Sequence, residues 1–213
     1  MAACGALAML SAHGGYAAAY AWFKPLTMVL ALACVGAVAR NLHTRNVRWL
    51  MAGLALSMVG DVCLLTPAGF IPGLVAFLLA HVCYIVLFQR DAPWQPHHGA
   101  LAICLALGTL VYAYLWTHGL PVALRVPVAA YVLVIALMAA QAMGRASVLR
   151  TSAARAVAWG AVSFMLSDSI LALDKFVQPI AGVYLWVLGT YYVAQWLIVH
   201  GMLQTWRSHP LKT

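Results

Sequence analysis

The sequence predicts an all-α protein: a polytopic membrane protein folded as one integral membrane domain over residues 1–213, a bundle of about eight transmembrane helices. Three observations carry that expectation. The 213 residues are 65% hydrophobic and only 8% charged, with a mean hydropathy of +0.93. Apolar runs long enough to cross about 30 Å of hydrocarbon recur along the whole chain. These runs do not alternate polar and apolar residues as barrel strands would, and helices are the other structures that satisfy their backbone groups in lipid.

The runs fall at roughly 3–21, 25–40, 47–66, 72–89, 99–117, 121–143, 155–173 and 182–204. The first is rich in Ala and Gly and contains Ser11 and His13. It lacks the basic start of a signal peptide, so it reads as a span. The second opens on Lys24-Pro25 in WFKPLT, and a lysine at a span end usually snorkels as an interfacial anchor. The third holds Asp61 in SMVGDVCLL. The fourth, GLVAFLLAHVCYIVLF, puts Phe77, His81, Tyr84 and Phe88 on one helical stripe. The loop RDAPWQPHHG at 90–99 follows. It reads as solvated rather than metal-binding, because His97 and His98 have no third ligand nearby. The fifth and sixth runs are apolar. The seventh carries Asp168 in VSFMLSDSILAL, and the eighth, VYLWVLGTYYVAQWLIVHGM, carries Tyr191, Tyr192 and Gln195.

A net charge of +8 raises nucleic-acid binding, but the basic residues lie between the spans and report topology instead. One side collects Arg40, Arg45, Arg48, Arg90, Arg145, Arg150, Arg155, Arg207 and Lys212; the other has Lys24, Arg125 and Lys175. That asymmetry puts both termini in the cytoplasm, in what reads as a bacterial inner (plasma) membrane. Cys4, Cys34, Cys63, Cys83 and Cys104 all fall in apolar runs without a CxxC pair, so they read as small hydrophobes and not a disulfide framework.

The polar residues inside the spans are the candidate site. The chain has four acidic residues, and two of them, Asp61 and Asp168, stand within apolar runs. An aspartate at a helix centre costs about +2.5 to +3.5 kcal/mol on insertion scales, and such residues face protein interiors or water-filled sites. At about 1.5 Å per residue, Asp61 and Asp168 come out at similar depths, about 7 and 6 Å beyond the midplane. His81 lies near the midplane, where a hydrogen-bonded core histidine and a functional one weigh about evenly beside two carboxylates. Tyr84 reads as packing with one partner for its phenol. Tyr191 and Gln195 share a face, for interhelical hydrogen bonds or for orienting a water or an ether oxygen. Lys24 is placed to hold a lipid phosphate, and Asp174-Lys175 reads as an interfacial charge pair. Ser57 precedes Asp61 by a turn, and Ser163 and Ser167 precede Asp168, but without a Gly-x-Ser-x-Gly elbow serine-nucleophile chemistry is not expected.

In order and spacing, the Lys-Pro at 24–25, GDVCLL, GLVAFLLAHVCYIVLF, VSFMLSDSILALDKF and TYYVAQWLI resemble the lysoplasmalogenase family of membrane hydrolases (YhhN-like), over about residues 24 to 200. The resemblance implies an eight-span enzyme of lipid metabolism. It would cleave the vinyl ether bond of lysoplasmalogens to a fatty aldehyde and glycerophosphoethanolamine or glycerophosphocholine. It implies Asp61 and Asp168 as the catalytic pair and puts Lys24, His81, Tyr191 and Gln195 in the other family motifs; with Tyr84 these are the candidate substrate-binding residues, and with so few histidines no metal or other cofactor is expected. The expected partners are a lysophospholipid substrate and the bilayer, with no nucleic acid; the sequence sets no oligomeric state.

The chemistry suits the residues. A vinyl ether hydrolyses by protonation of its β-carbon, giving an oxocarbenium ion that water captures as a hemiacetal, which collapses to the aldehyde. Two carboxyls in different environments supply an acid and an anion, as in glycosidases for a related cation. Two other classes compete. A proton-coupled membrane transporter uses intramembrane Asp and His as relays, but calls for inverted repeats and broken helices. A metal-dependent amidase resembling alkaline ceramidases calls for several histidines, whereas only His81 is well placed, with His13 and His200 near span ends.

Overall fold

The computed structural model describes residues 17–39 and 46–208. Among them the chain forms seven α-helices: α1 Ala17–Ala39, α2 Val47–Cys63, α3 Phe70–Phe88, α4 His98–Thr117, α5 Val122–Leu149, α6 Ser152–Phe176 and α7 Val183–Ser208. A 3-10 turn, Pro67–Gly69, precedes α3, and no strand occurs among the described residues. Four segments are long and apolar enough to cross a membrane: Pro67–Phe88, His98–Thr117, Val122–Leu149 and Ser152–Phe176. Lys24–Val38 is a shorter apolar stretch. The outer surface fits that setting. Leu110 is 67% exposed, Val126 79% and Trp159 68%, and a soluble monomer rarely shows so broad an apolar exterior. Among the described residues the chain is all-helical, with the long apolar helices and apolar exterior of an integral membrane protein.

The described residues do not reach the expected eight helices. The run at 3–21 lies outside them except for its end, as do Cys4, Ser11, His13, Arg40, Arg45 and Lys212. At that end the expected break between the first two runs is absent, because α1 continues through Lys24-Pro25. A proline removes a single backbone donor, and membrane helices tolerate that where neighbouring groups compensate.

The expected end of the sixth run at 143 is also corrected. α5 runs on to Leu149 and stops at Arg150, whose φ of 52° is a left-handed cap. Arg145 therefore belongs to a helix and not to a loop. It is fully buried, and its Nε and Nη2 donate to Asp91 at 2.9 and 2.6 Å. The 89–97 connection is largely exposed, as expected for a solvated loop, but Ala92 and Gln95 are buried and tie it to α5. The Gln95 amide N–H donates to Gln141 Oε1 at 2.7 Å, and Gln141 Nε2 donates to the Pro93 carbonyl at 2.9 Å. His97 is an N-cap, its Nδ1 accepting from Ala100 N at 3.0 Å. Cys83 and Cys104 are buried and Cys63 half-buried, but Cys34 is exposed on the apolar exterior; all four are free thiols.

α6 and α7 pack most closely. A Cβ on Gly160 would sit 2.8 Å from the Ala194 carbonyl oxygen, and one on Gly201 2.6 Å from that of Ala153. Glycine at both crossings lets the backbones touch, the usual basis of helix association where water cannot drive it. Ser163 and Ser167 donate across this contact to the Thr190 and Val187 carbonyls at 2.8 and 2.9 Å. Their hydroxyls are spent on helix pairing, which sets the register of Asp168 on α6 against Tyr191 on α7.

Candidate active site

Asp61 stands near the end of α2 and is 1% exposed. Gly60, just before it, lets α2 lie against α3: an added Cβ would meet the Phe77 ring at 2.6 Å. A carboxylate this deep needs partners, and two helices supply them. Lys24 Nζ, from α1, lies 3.3 Å from Oδ1, and the Tyr191 hydroxyl, from α7, donates to Oδ2 at 2.8 Å. Lys24 is 6% exposed, so it is not the snorkelling anchor its position near a span end suggested. The buried anion draws it inward.

Asp168, on α6, is less enclosed than Asp61. Its Oδ2 accepts a hydrogen bond from the buried Tyr131 of α5. Tyr131 was not singled out from the sequence. Its signal was faint: one phenol in the apolar run VAAYVLVIAL, where tyrosine is inexpensive and common.

The two carboxyls line one cleft of about 300 Å³, with Lys24, Ser167 and Tyr191 around them. Thr66, Pro67, Asp174, Lys175 and Val183 also line it, from the connection after α2, the end of α6 and the start of α7. Asp174 and Lys175 do not pair with each other there. Asp174 Oδ1 accepts from Ile180 N at 2.8 Å, closing the turn after α6, and Lys175 Nζ lies 5.3 Å from the centre of the Phe70 ring.

His81, Tyr84 and Gln195 are buried outside the cleft lining. The Tyr84 hydroxyl donates to Gln195 Oε1 at 2.8 Å, an interhelical bond between α3 and α7. His81 meets Phe164 and Tyr131 edge-on, with ring centres 4.7 and 5.4 Å apart, and neither ring nitrogen has a hydrogen-bond partner among the described residues. Phe77, Phe164 and Tyr191 pack against one another edge to face at 5.3 to 6.1 Å. This aromatic layer seats Tyr191, and His81 links it to Tyr131. Among the described residues no three His, Cys, Asp or Glu side chains gather as metal ligands would.

Chemically, the site offers one carboxylate held by a cation and a phenol, a second more open carboxyl held by another phenol, and space between helices. Residues 4–202 match the sequence profile of the YhhN family. The chain belongs to the YhhN family. Among its relatives, human lysoplasmalogenase TMEM86B is 33% identical over 186 residues, covering 86% of this chain and 77% of the relative. The rat lysoplasmalogenase TMEM86B is 40% identical over 167 residues, covering 78% of this chain and 65% of its own length. A lysoplasmalogenase of Mycobacterium bovis is 32% identical over 196 residues, covering 88% and 71%. No solved structure matches the chain.

Proposed function

We propose that this protein is a lysoplasmalogenase that hydrolyses the vinyl ether of a single-chain plasmalogen by carboxylate acid–base catalysis. The observation that carries the proposal is the pair of carboxyls in one cleft with unequal surroundings. The names of relatives at 32–40% identity support the substrate class.

Asp168 is the acid. It is the more open of the two, and its Oδ2 is steadied by Tyr131. Its proton goes to the β-carbon of the vinyl ether, leaving an oxocarbenium ion. Asp61 is the anion, both of its oxygens engaged by Lys24 and Tyr191. Its negative charge faces the developing cation across the cleft. Water adds to the oxocarbenium carbon and returns a proton to Asp168. The hemiacetal then breaks to release the aldehyde and the glycerophospho-alcohol, so one water is consumed and the carboxyls end as they began. His81 supports Tyr131, and the Tyr84–Gln195 bond holds α3 to α7. Because Lys24 is engaged by Asp61, we assign the phosphate to Lys175 on the cleft lining.

The bilayer setting extends the proposal. Eight spans, with both termini cytoplasmic in a bacterial plasma membrane, suit the excess of arginine on one side. The deciding experiment incubates the purified protein with a lysoplasmalogen and measures aldehyde and released headgroup together. Equimolar formation of both, unchanged by EDTA, is expected. Absence of aldehyde would refute the reaction, and loss on chelation with recovery on zinc would favour an amidase-like metal enzyme.

A further inference from the structure

A second cavity meets the cleft at Asp168. It is a slot of about 70 Å³ between α3, α4, α5 and α6. Val111, Leu115, Val128, Val132, Met165 and Ala172 form much of its wall. Leu64, Phe70, Phe77, Asp168 and Leu171 line both cavities, so the two spaces adjoin at the proposed acid. The three polar side chains on the slot wall are Tyr131, Asp168 and Ser169. Tyr131 is spent on Asp168, and the Ser169 hydroxyl donates to the Met165 carbonyl at 2.7 Å. Beyond Asp168 the slot therefore has only apolar walls to offer.

We infer that this slot takes the first few methylenes of the substrate's hydrocarbon chain, so that the start of the chain is gripped by protein next to the reacting bond and the rest lies in the bilayer. The inference rests on the proposed reaction and specifies its substrate pose. A narrow apolar slot rejects a headgroup or glycerol, whose polar atoms would lose their hydrogen bonds there. A methylene chain loses none. In a lysoplasmalogen the vinyl ether is the link between the glycerophosphate portion and the chain. A wide cleft with polar groups on one side, a narrow apolar slot on the other and a carboxyl at their junction match that order of groups along one molecule. Val111 and Val132, on α4 and α5, then control how much chain the slot admits.

The test uses the full-length protein in mixed micelles. The probe is a lysophospholipid with a saturated ether link, which cannot undergo vinyl ether chemistry, carrying a diazirine within the first few carbons of its chain. Adducts are mapped by mass spectrometry. Labelling at Val111 or Val132, competed by unlabelled lysoplasmalogen, is expected. Adducts confined to exterior residues such as Leu110 and Val126, or insensitive to competitor, would overturn the slot. In parallel, Val111→Phe should lower kcat/KM for a long-chain substrate about tenfold more than for a short-chain analogue, a tenfold change being about 1.4 kcal/mol. Val132→Ala should shift preference the other way, toward bulkier chains. Equal effects on long and short chains would refute the assignment. Slot labelling without aldehyde formation supports the slot and refutes the chemistry; aldehyde formation without slot labelling does the reverse.

Discussion

Asp61 and Asp168 differ in what surrounds them, and that difference sets what each substitution does. Asp168→Asn removes the proposed proton donor and should lower kcat by about 10²–10⁴, the range of general acid–base contributions, with the thermal midpoint unchanged. Full activity in this variant would remove Asp168 from the reaction. Asp61→Asn should also abolish turnover, but by a different route, because it leaves Lys24 buried beside a neutral amide. Breaking a buried ion pair from one side costs about 3–5 kcal/mol. Lys24→Ala should therefore destabilise the protein, and Lys24→Met combined with Asp61→Asn should recover stability without activity. Thermal unfolding of the single and double variants in detergent measures this coupling. Additive losses would mean that the two residues do not act as a pair. Both aspartates were legible in the sequence because a charge in an apolar run demands a reason. Their partners were harder to see: Tyr131 costs little to bury, and the 24–61 contact is long-range.

At the level of helices, the site depends on the α6–α7 contact, since Asp168 rides on one and Tyr191 on the other. Gly201→Leu would push side-chain atoms against the Ala153 carbonyl, a backbone atom that cannot swing aside. Overpacking of this kind costs about 1–3 kcal/mol, and here it should also separate the two walls of the proposed site. The expected result is a lower thermal midpoint with activity falling further than the folded fraction does. Gly36→Ala, on α1 with nothing within 4 Å of the added Cβ, should change neither. If Gly201→Leu behaves like Gly36→Ala, the close approach is not what holds the site. Hydropathy made most of the helices legible, because each long apolar run must become one. The ends were less so. α5 passes Arg145 because Asp91 neutralises it, and the tie of the exposed 89–97 connection to α5 went unseen because its partner, Gln141, hides inside an apolar run. A pairing between distant residues leaves no periodic trace in either segment.

For the whole molecule, the unequal distribution of charge and the two adjoining cavities lead to separate predictions. Cysteine introduced at Arg150 should be labelled only from the cytoplasmic side of intact cells, and cysteine at Lys175 only from the opposite side; the reverse pattern would invert the proposed topology. Substrate selection follows from the cavities. In the proposed pose the start of a lysoplasmalogen's single chain occupies the narrow slot while its headgroup takes the wider cleft lined by Lys175. A diradyl plasmalogen has a second chain attached at the neighbouring glycerol carbon. That chain would have to lie across Asp61, Lys24 and Tyr191, taking water away from an ion pair without offering it a hydrogen bond. Leaving the second chain in the bilayer would instead pull the glycerol away from Asp168. Either way the vinyl ether carbon and the acid lose their alignment, and misplacement of that kind is expensive in rate. The expected outcome is a kcat/KM for the lysoplasmalogen at least about tenfold above that for the plasmalogen in matched mixed micelles. Equal turnover of the two lipids would mean that the reacting bond is reached without passing the cleft, and the arrangement of cleft, acid and slot would then have to be abandoned.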